Sequence, residues 1–184
     1  MRRILSGALL LTTLILGSAA VPAGDTAQRV AYSRENGSAS TAMPTADRIV
    51  VRKGERRLEL MRRGEVLRSY KVALGLQPQG HKERNGDFRT PEGKYQLTRR
   101  NPRSDYFLSI QISYPNDADA RIARSNGWDA GGSIMIHGLP NILKRDPAYY
   151  QTRDWTDGCI AVSNSDMVEI WLLTQDNTPI EILP

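Results

Sequence analysis

The sequence predicts a β-rich α+β domain, and three observations support this prediction. Apolar and polar residues alternate with a period of two from Arg48 to Leu76, and again from Phe107 to Tyr114. Fifteen glycines and ten prolines among 184 residues indicate many turns, which favours strands over a helical bundle. A helical pattern is clear only near the C-terminus. The length suits one domain with a hydrophobic core.

Residues 1–20 are typical of a secretory signal peptide. A basic start precedes an apolar stretch from Ile4 to Leu16, and Ser18 and Ala20 are small residues suited to cleavage. The apolar stretch is shorter than the ~20 residues that a membrane span needs. We therefore expect an exported protein of the periplasm or cell wall, without stable membrane insertion once the signal is removed.

Residues 21–45 contain few large apolar side chains and are rich in Ala, Ser, Gly and Thr. Such a segment cannot bury enough surface to offset its ordering entropy, so we expect a flexible N-terminal arm. The folded domain is predicted to span residues 46–184.

The first part of this domain is predicted to be an antiparallel meander of three strands, at Ile49–Val51, Arg57–Met61 and Val66–Leu74. Tight turns at residues 53–55 and 63–65 separate them. Nine Lys and Arg residues fall between positions 48 and 71, which favours a solvated sheet face. Nucleic acid is not expected as a partner, because the domain is exported and aromatic residues are not interleaved with the basic ones.

The middle of the domain alternates turns and strands. Pro91 and Gly93 fix a turn that leads into the next strand. The predicted elements are a strand at 94–98, a loop at 101–105, a strand at 107–114 with Leu108, Ile110 and Ile112 on one face, and a partly helical segment at 118–124.

The C-terminal part contains two short buried strands, a helix and a last strand. The strand at 133–136 ends at His137-Gly138, and the second strand covers 159–162. Ser163, with Asp166 three residues later, indicates a helix start. The apolar residues of this helix, which should end near Thr174, are Met167, Val168, Ile170, Trp171 and Leu172, and a strand at 180–183 closes the chain.

Cys159 is the only cysteine, and His81 and His137 are the only histidines. An unpaired cysteine in an exported protein pairs between chains, is buried and inert, or reacts. A reactive thiol needs a base within hydrogen-bond reach. His137 ends a buried strand and is favoured over His81, which lies in a polar loop and should be solvated. Gly158 would let backbone amides approach a substrate carbonyl, as an oxyanion hole requires.

Two other classes of function fit the same residues. One is a catalytically silent envelope-binding module that uses the basic strands. The other is an open zinc site formed by Cys159, His137 and His81, which the loop setting of His81 disfavours. We expect neither a metal nor another cofactor.

The pattern His137-Gly138, a loop, then Thr156-x-Gly158-Cys159-Ile resembles the L,D-transpeptidase catalytic (YkuD-like) domain of bacterial cell walls. Two further segments match: Gly86-x-x-x-Thr-Pro-x-Gly-x-Tyr95, and the closing Thr178-Pro-Ile-Glu-Ile182. The resemblance covers roughly residues 46–184. It implies an L,D-transpeptidase-like β-sandwich with one C-terminal helix before the last strand.

The resemblance also implies roles for single residues. Cys159 would be the nucleophile and His137 the base, with the imidazole oriented by the Gly138 carbonyl. Thr156, Asp157 and Gly158 would lie on the oxyanion and substrate-binding side.

In this family the thiolate attacks the amide between the L-centre of residue three and D-alanine at position four of a peptidoglycan stem tetrapeptide. The acyl group then passes to an amine of another stem or of a wall-linked lipoprotein, or to water.

The chain departs from the common Ser-His-Gly-Cys motif at two positions. Asp157 stands where a second histidine is usual, and Ala161 replaces a polar residue. A carboxylate that faces the thiol disfavours its ionisation unless the carboxylate pairs with His137 or an arginine. The branch with Ser/Thr-x-Gly-Cys-Ile/Phe-Ala includes amidases that release wall-attached lipoprotein. Hydrolysis of the same acyl-enzyme is therefore the alternative to transfer.

Overall fold

The structure, a computed structural model, describes residues 43–184. The predicted signal peptide, and the predicted arm up to residue 42, lie outside the described residues. Among residues 43–184, every helix is too short or too polar to cross a lipid bilayer.

Residues 43–184 contain eight strands and three helices. The strands are β1 (Arg48–Arg52), β2 (Arg57–Arg62), β3 (Glu65–Lys71), β4 (Gly93–Ser104), β5 (Phe107–Ile112), β6 (Met135–His137), β7 (Ile160–Ala161) and β8 (Pro179–Leu183). The helices are α1 (Asp117–Ser125), α2 (Pro147–Thr152) and α3 (Asn164–Leu173).

The strands form one continuous sheet in the order β3-β2-β1-β8-β4-β5-β6-β7. Its first three strands are the predicted antiparallel meander, which is confirmed. β4 belongs to both halves of the sheet, because its first residues pair with β8 and its later residues pair with β5. The β-rich class, and the helix α3 before the last strand β8, are confirmed.

The two ends of the sheet are joined directly. β3 was predicted to continue to Leu74, but its pairing with β2 ends at Lys71. Ala73 instead forms an antiparallel bridge with Ala161 of β7, with two backbone hydrogen bonds of 2.8 Å. This bridge ties the strand that follows Cys159 to the meander, so the cysteine rests on a rigid element.

One hydrophobic cluster fills the interior. It takes side chains from both halves of the sheet, such as Val51 and Leu60 on one side and Ile136 and Ile160 on the other. Ile49, Leu58, Ile110 and Ile136 are fully buried, which is how alternating strand patterns gain their stability.

Helix α3 begins as the sequence predicts. The Ser163 hydroxyl accepts a hydrogen bond from the Asp166 amide (3.1 Å), and the helix is capped at Thr174. Its buried face differs from the prediction. Met167 and Ile170 are fully buried, but Val168 and Leu172 are 38% and 53% exposed, because only one side of the helix meets the sheet.

Two further elements differ from the sequence prediction. The prediction of a loop at 101–105 is wrong for residues 101–104, because β4 continues to Ser104 and forms an irregular hairpin with β5. Helix α2 was not predicted, although Asp146 caps it and Pro147 opens it. The helical segment expected at 118–124 is confirmed as α1.

Candidate active site

Strand register places three polar residues on one face of the sheet, in β5, in β6 and immediately before β7. Ile110, Ile136 and Ile160 pair across these strands and are fully buried in the core. Because successive side chains alternate between the two faces, the residue before or after each isoleucine points away from the core. Ser109, His137 and Cys159 therefore share the opposite face. All three line one cavity of about 380 Å³.

His137 is held in one orientation. Its ring nitrogen Nδ1 lies 2.7 Å from the Gly138 carbonyl oxygen, which can only accept, so Nδ1 carries the proton and donates. In the neutral ring Nε2 is then free to accept a proton. Burial lowers the pKa of His137 to about 4, although the bond to Gly138 opposes this shift. The imidazole is consequently neutral at pH 7, as a general base must be.

Two aromatic rings pack against the imidazole. The ring of Tyr106 lies 4.6 Å from that of His137, and the ring of Trp155 lies 5.6 Å from it, measured between centroids. The Trp155 indole donates to the Tyr150 carbonyl (3.2 Å), which fixes its position. These rings supply the apolar surroundings that keep His137 uncharged. Sequence patterns missed both, since Tyr106 follows a predicted loop and Trp155 lies in a polar segment.

Gly138 has room for no side chain. A Cβ at this position would lie 2.6 Å from the Asn164 side-chain oxygen and 3.1 Å from Phe107. Its amide bridges the carbonyls of Tyr106 and Leu108 at 3.1 and 3.2 Å. The backbone that accepts the imidazole hydrogen bond is thereby anchored to β5.

Cys159 lies at the end of the loop that leads into β7, and its Sγ is 3.7 Å from the Ser133 carbonyl oxygen. Burial raises the pKa of this thiol, and the Asp157 carboxylate raises it further. The Met135 amide and the Lys82 ammonium act in the opposite direction but do not outweigh burial. The resting pair is thus a thiol and a neutral imidazole rather than a thiolate and an imidazolium.

Thr156 organises the turn before the thiol. Its hydroxyl is buried, accepts a hydrogen bond from the Gly158 amide (3.1 Å) and donates to the Cys159 carbonyl (2.7 Å). Gly158 has φ of +133°, and a Cβ there would meet the Arg89 carbonyl oxygen at 2.6 Å. The glycine is therefore required by close packing, and its amide is already paired within the turn.

Asp157 is exposed at the edge of the cavity. Within residues 43–184 it forms no ion pair with His137 or with an arginine, although the sequence left that pairing open. The Asp157 carboxylate therefore has no such partner to offset its effect, which is to raise the pKa of the Cys159 thiol.

The structure does not bring His81 to the thiol. Its Nδ1 accepts from the Glu92 amide (3.0 Å), and its Nε2 lies 3.3 Å from an Asp119 oxygen. The expectation of a solvated side chain is wrong, because His81 is 30% exposed and packs edge-on against Tyr114. Across residues 43–184 there is no cluster of three or more His, Cys, Asp or Glu residues suited to a metal.

The fold and the cavity are those of a known family of catalytic domains. The family model for the L,D-transpeptidase catalytic domain (YkuD) matches residues 46–182, and the chain belongs to that family. Membership supports a peptidoglycan-modifying function.

Among individual relatives, YafK of Escherichia coli (strain K12), which is named as a candidate L,D-transpeptidase, is 40% identical over 96 residues. This match covers 49% of the chain and 37% of YafK.

Two solved structures share the fold at modest identity. The helical cell shape determining protein Pgp2 from Campylobacter jejuni superposes with a TM-score of 0.56 at 26% identity, covering 73% of this chain and 46% of Pgp2. Bd1075 of Bdellovibrio bacteriovorus gives a TM-score of 0.50 at 26% identity, covering 74% of this chain and 47% of Bd1075. The chain thus spans less than half the length of these relatives.

Proposed function

We propose that this chain is a cysteine-dependent L,D-transpeptidase that acts on peptidoglycan stem tetrapeptides. The observation that carries the proposal is the shared cavity of Cys159 and His137, with the Nδ1 proton of the imidazole held by the Gly138 carbonyl. The thiol sulfur attacks the amide carbonyl of residue three, a thioester forms, and D-alanine leaves.

His137 acts as a general base at the moment of attack. Because the resting pair is neutral, Nε2 takes the thiol proton while the sulfur–carbon bond forms. The imidazolium then gives that proton to the nitrogen of the departing D-alanine when the carbon–nitrogen bond breaks. In the second half the same nitrogen removes a proton from the acceptor, and the thiol is restored when the acyl group leaves sulfur.

The turn before the thiol supplies the oxyanion donor. The Gly158 amide is occupied by the Thr156 hydroxyl, so we assign the Cys159 amide as the donor to the developing oxyanion. Thr156 holds this turn by its two hydrogen bonds, and Gly158 allows its backbone conformation. Both residues therefore contribute to catalysis indirectly, by placing the Cys159 amide.

Asp157 favours transfer to an amine. Its carboxylate lines the cavity and has no cationic partner among residues 43–184. A carboxylate at the mouth of the cavity attracts the ammonium group of an acceptor, such as the free amine of a second stem or of a wall-linked lipoprotein.

Hydrolysis of the same thioester is the second candidate. It is favoured by the sequence Thr156-Asp-Gly-Cys-Ile-Ala161, which is similar to the branch that contains wall amidases. Water would then replace the amine, and the products would be a tripeptide stem or a released lipoprotein. No cofactor takes part in either reaction.

We further infer that the protein works outside the cytoplasmic membrane, where its substrate is, after export by the predicted signal peptide at residues 1–20. The similarity to Pgp2, named as a determinant of helical cell shape, supports a role in cell-wall architecture and cell shape.

The test is product analysis of the purified protein with a disaccharide tetrapeptide. Dimers that have lost one D-alanine indicate transfer, and free tripeptide indicates hydrolysis, both by mass spectrometry. Cys159→Ser and His137→Gln should abolish both products, whereas His81→Gln, outside the cavity, should leave them. Turnover that survives in Cys159→Ser would refute the mechanism.

A further inference from the structure

Lys82 places a positive charge in the wall of the catalytic cavity. Its side chain is 4% exposed and lines the cavity together with Asn85 and Cys159. Lysine is rarely buried unless its ammonium is paired. Its charge acts to lower the pKa of Cys159, although burial of the thiol outweighs this effect.

The ammonium of Lys82 retains hydrogen-bonding capacity. It donates to Asp87 Oδ1 (2.7 Å) and to the Arg84 carbonyl (3.1 Å), which accounts for two of its three protons. Lys53 offers a comparison within the same chain. Its buried ammonium has three acceptors, at 2.6, 2.8 and 2.9 Å, and does not line the cavity. Within residues 43–184, the third proton of Lys82 has no acceptor.

Asp87 accepts hydrogen bonds from other donors besides Lys82. Its two oxygens also accept hydrogen bonds from the amides of Glu83 (2.8 Å), Arg84 (3.1 Å) and Arg89 (3.1 Å). Burial opposes ionisation of Asp87, but these bonds and that from Lys82 lower its pKa to about 2. The aspartate is thus stabilised by four donors and holds the lysine in position without using all of its hydrogen-bonding capacity.

The segment that carries Lys82 is fixed relative to the thiol. The Tyr114 hydroxyl shares its proton between the carbonyls of Ala130 (3.0 Å) and Lys82 (3.3 Å), and the Asn85 amide donates to the Asp129 carbonyl (2.8 Å). The close approach of Gly158 to the Arg89 carbonyl joins the same segment to the turn before Cys159. The cavity is consequently lined by Lys82 on one side and by the aromatic rings around His137 on the other.

We propose that Lys82 binds a carboxylate of the donor stem peptide and thereby selects the amide that reaches Cys159. This inference rests on the proposed function. A stem tetrapeptide carries two carboxylates near that amide: the terminal group of D-alanine, and the side-chain group of residue three where that residue is diaminopimelate. An ammonium point charge in a desolvated wall suits either group.

Three synthetic donors separate the two sources: the natural tetrapeptide, its terminal D-alanine carboxamide, and its residue-three side-chain carboxamide. Loss of one charge-assisted hydrogen bond should lower kcat/KM by about 10- to 100-fold. Wild-type protein should therefore discriminate against one of the two amides, which identifies the bound carboxylate. Equal kcat/KM for all three donors would overturn the assignment without any variant.

The variants distinguish binding from a structural role. Lys82→Met should lower kcat/KM for the natural donor about 10- to 100-fold and remove the discrimination. Asp87→Asn breaks the same ion pair but keeps the ammonium, so it should keep the discrimination. Lys82→Gln serves the same purpose if the methionine variant does not fold. An equal loss on all three donors in the Lys82 and Asp87 variants would show that the ion pair is only structural.

Failure of the proposed function can be recognised separately. A small uncharged activated ester contains no carboxylate, and it should acylate Cys159 of the wild-type protein, as intact mass reports. Acylation without discrimination among the three donors refutes only the role of Lys82. A thiol that the ester never acylates would refute the proposed function itself.

Discussion

The buried neutral state of His137 predicts a specific loss of stability in mild acid. Its pKa is about 4 in the folded protein, against 6.5 for the unperturbed side chain. As pH falls below 6.5 the unfolded chain binds a proton that the folded chain does not, so stability is complete above pH 6.5 and falls until about pH 4. This lowering of the pKa corresponds to about 3 kcal/mol of unfolding free energy.

Urea unfolding of residues 43–184 between pH 4 and 7 measures this loss. His137→Gln should remove about 3 kcal/mol of the pH dependence, whereas His81→Gln should retain it. Asp87 acts in a separate window: its stabilising charge is complete above pH 3.8 and is lost as pH falls towards 2. The same acid slope in His137→Gln as in the wild type would refute a buried, neutral imidazole, as would an NMR titration of His137 near pH 6.5.

Three further predictions concern the turn before the thiol. Gly158→Ala should destabilise the fold by at least about 2 kcal/mol in urea unfolding, because φ is +133° and the new Cβ would lie 2.6 Å from the Arg89 carbonyl; unchanged stability would contradict this packing. Thr156→Val leaves the Gly158 amide unpaired and should cost about 2 kcal/mol by the same assay, with Thr156→Ser as the control that retains the hydroxyl. Asp157→Asn should lower the pKa of Cys159, so that the pH profile of alkylation by iodoacetamide moves to lower pH; a profile that moves upward or stays in place would show that this carboxylate does not act on the thiol.

Much of the architecture follows from local signals in the chain. Period-two alternation in the meander and in β5 is imposed by a sheet with one buried face, so strand positions and inward residues such as Ile110 could be predicted. The Ser163 cap is equally local, since hydroxyl and amide are three residues apart. The extent of β4 could not be predicted, because its first residues pair with the distant strand β8 and its later residues form an irregular hairpin with β5.

The sequence alone singled out Cys159, His137 and Gly138, because a lone thiol and a strand-end histidine in this family's motif can be recognised without coordinates. The pKa shifts of His137 and Cys159, in contrast, depend on the tertiary structure. Desolvation depends on what packs around a group, and the rings of Tyr106 and Trp155 that surround His137 come from other loops. Lys82 lines the same cavity from a segment more than seventy residues before the thiol, and no local pattern in the sequence indicates that approach.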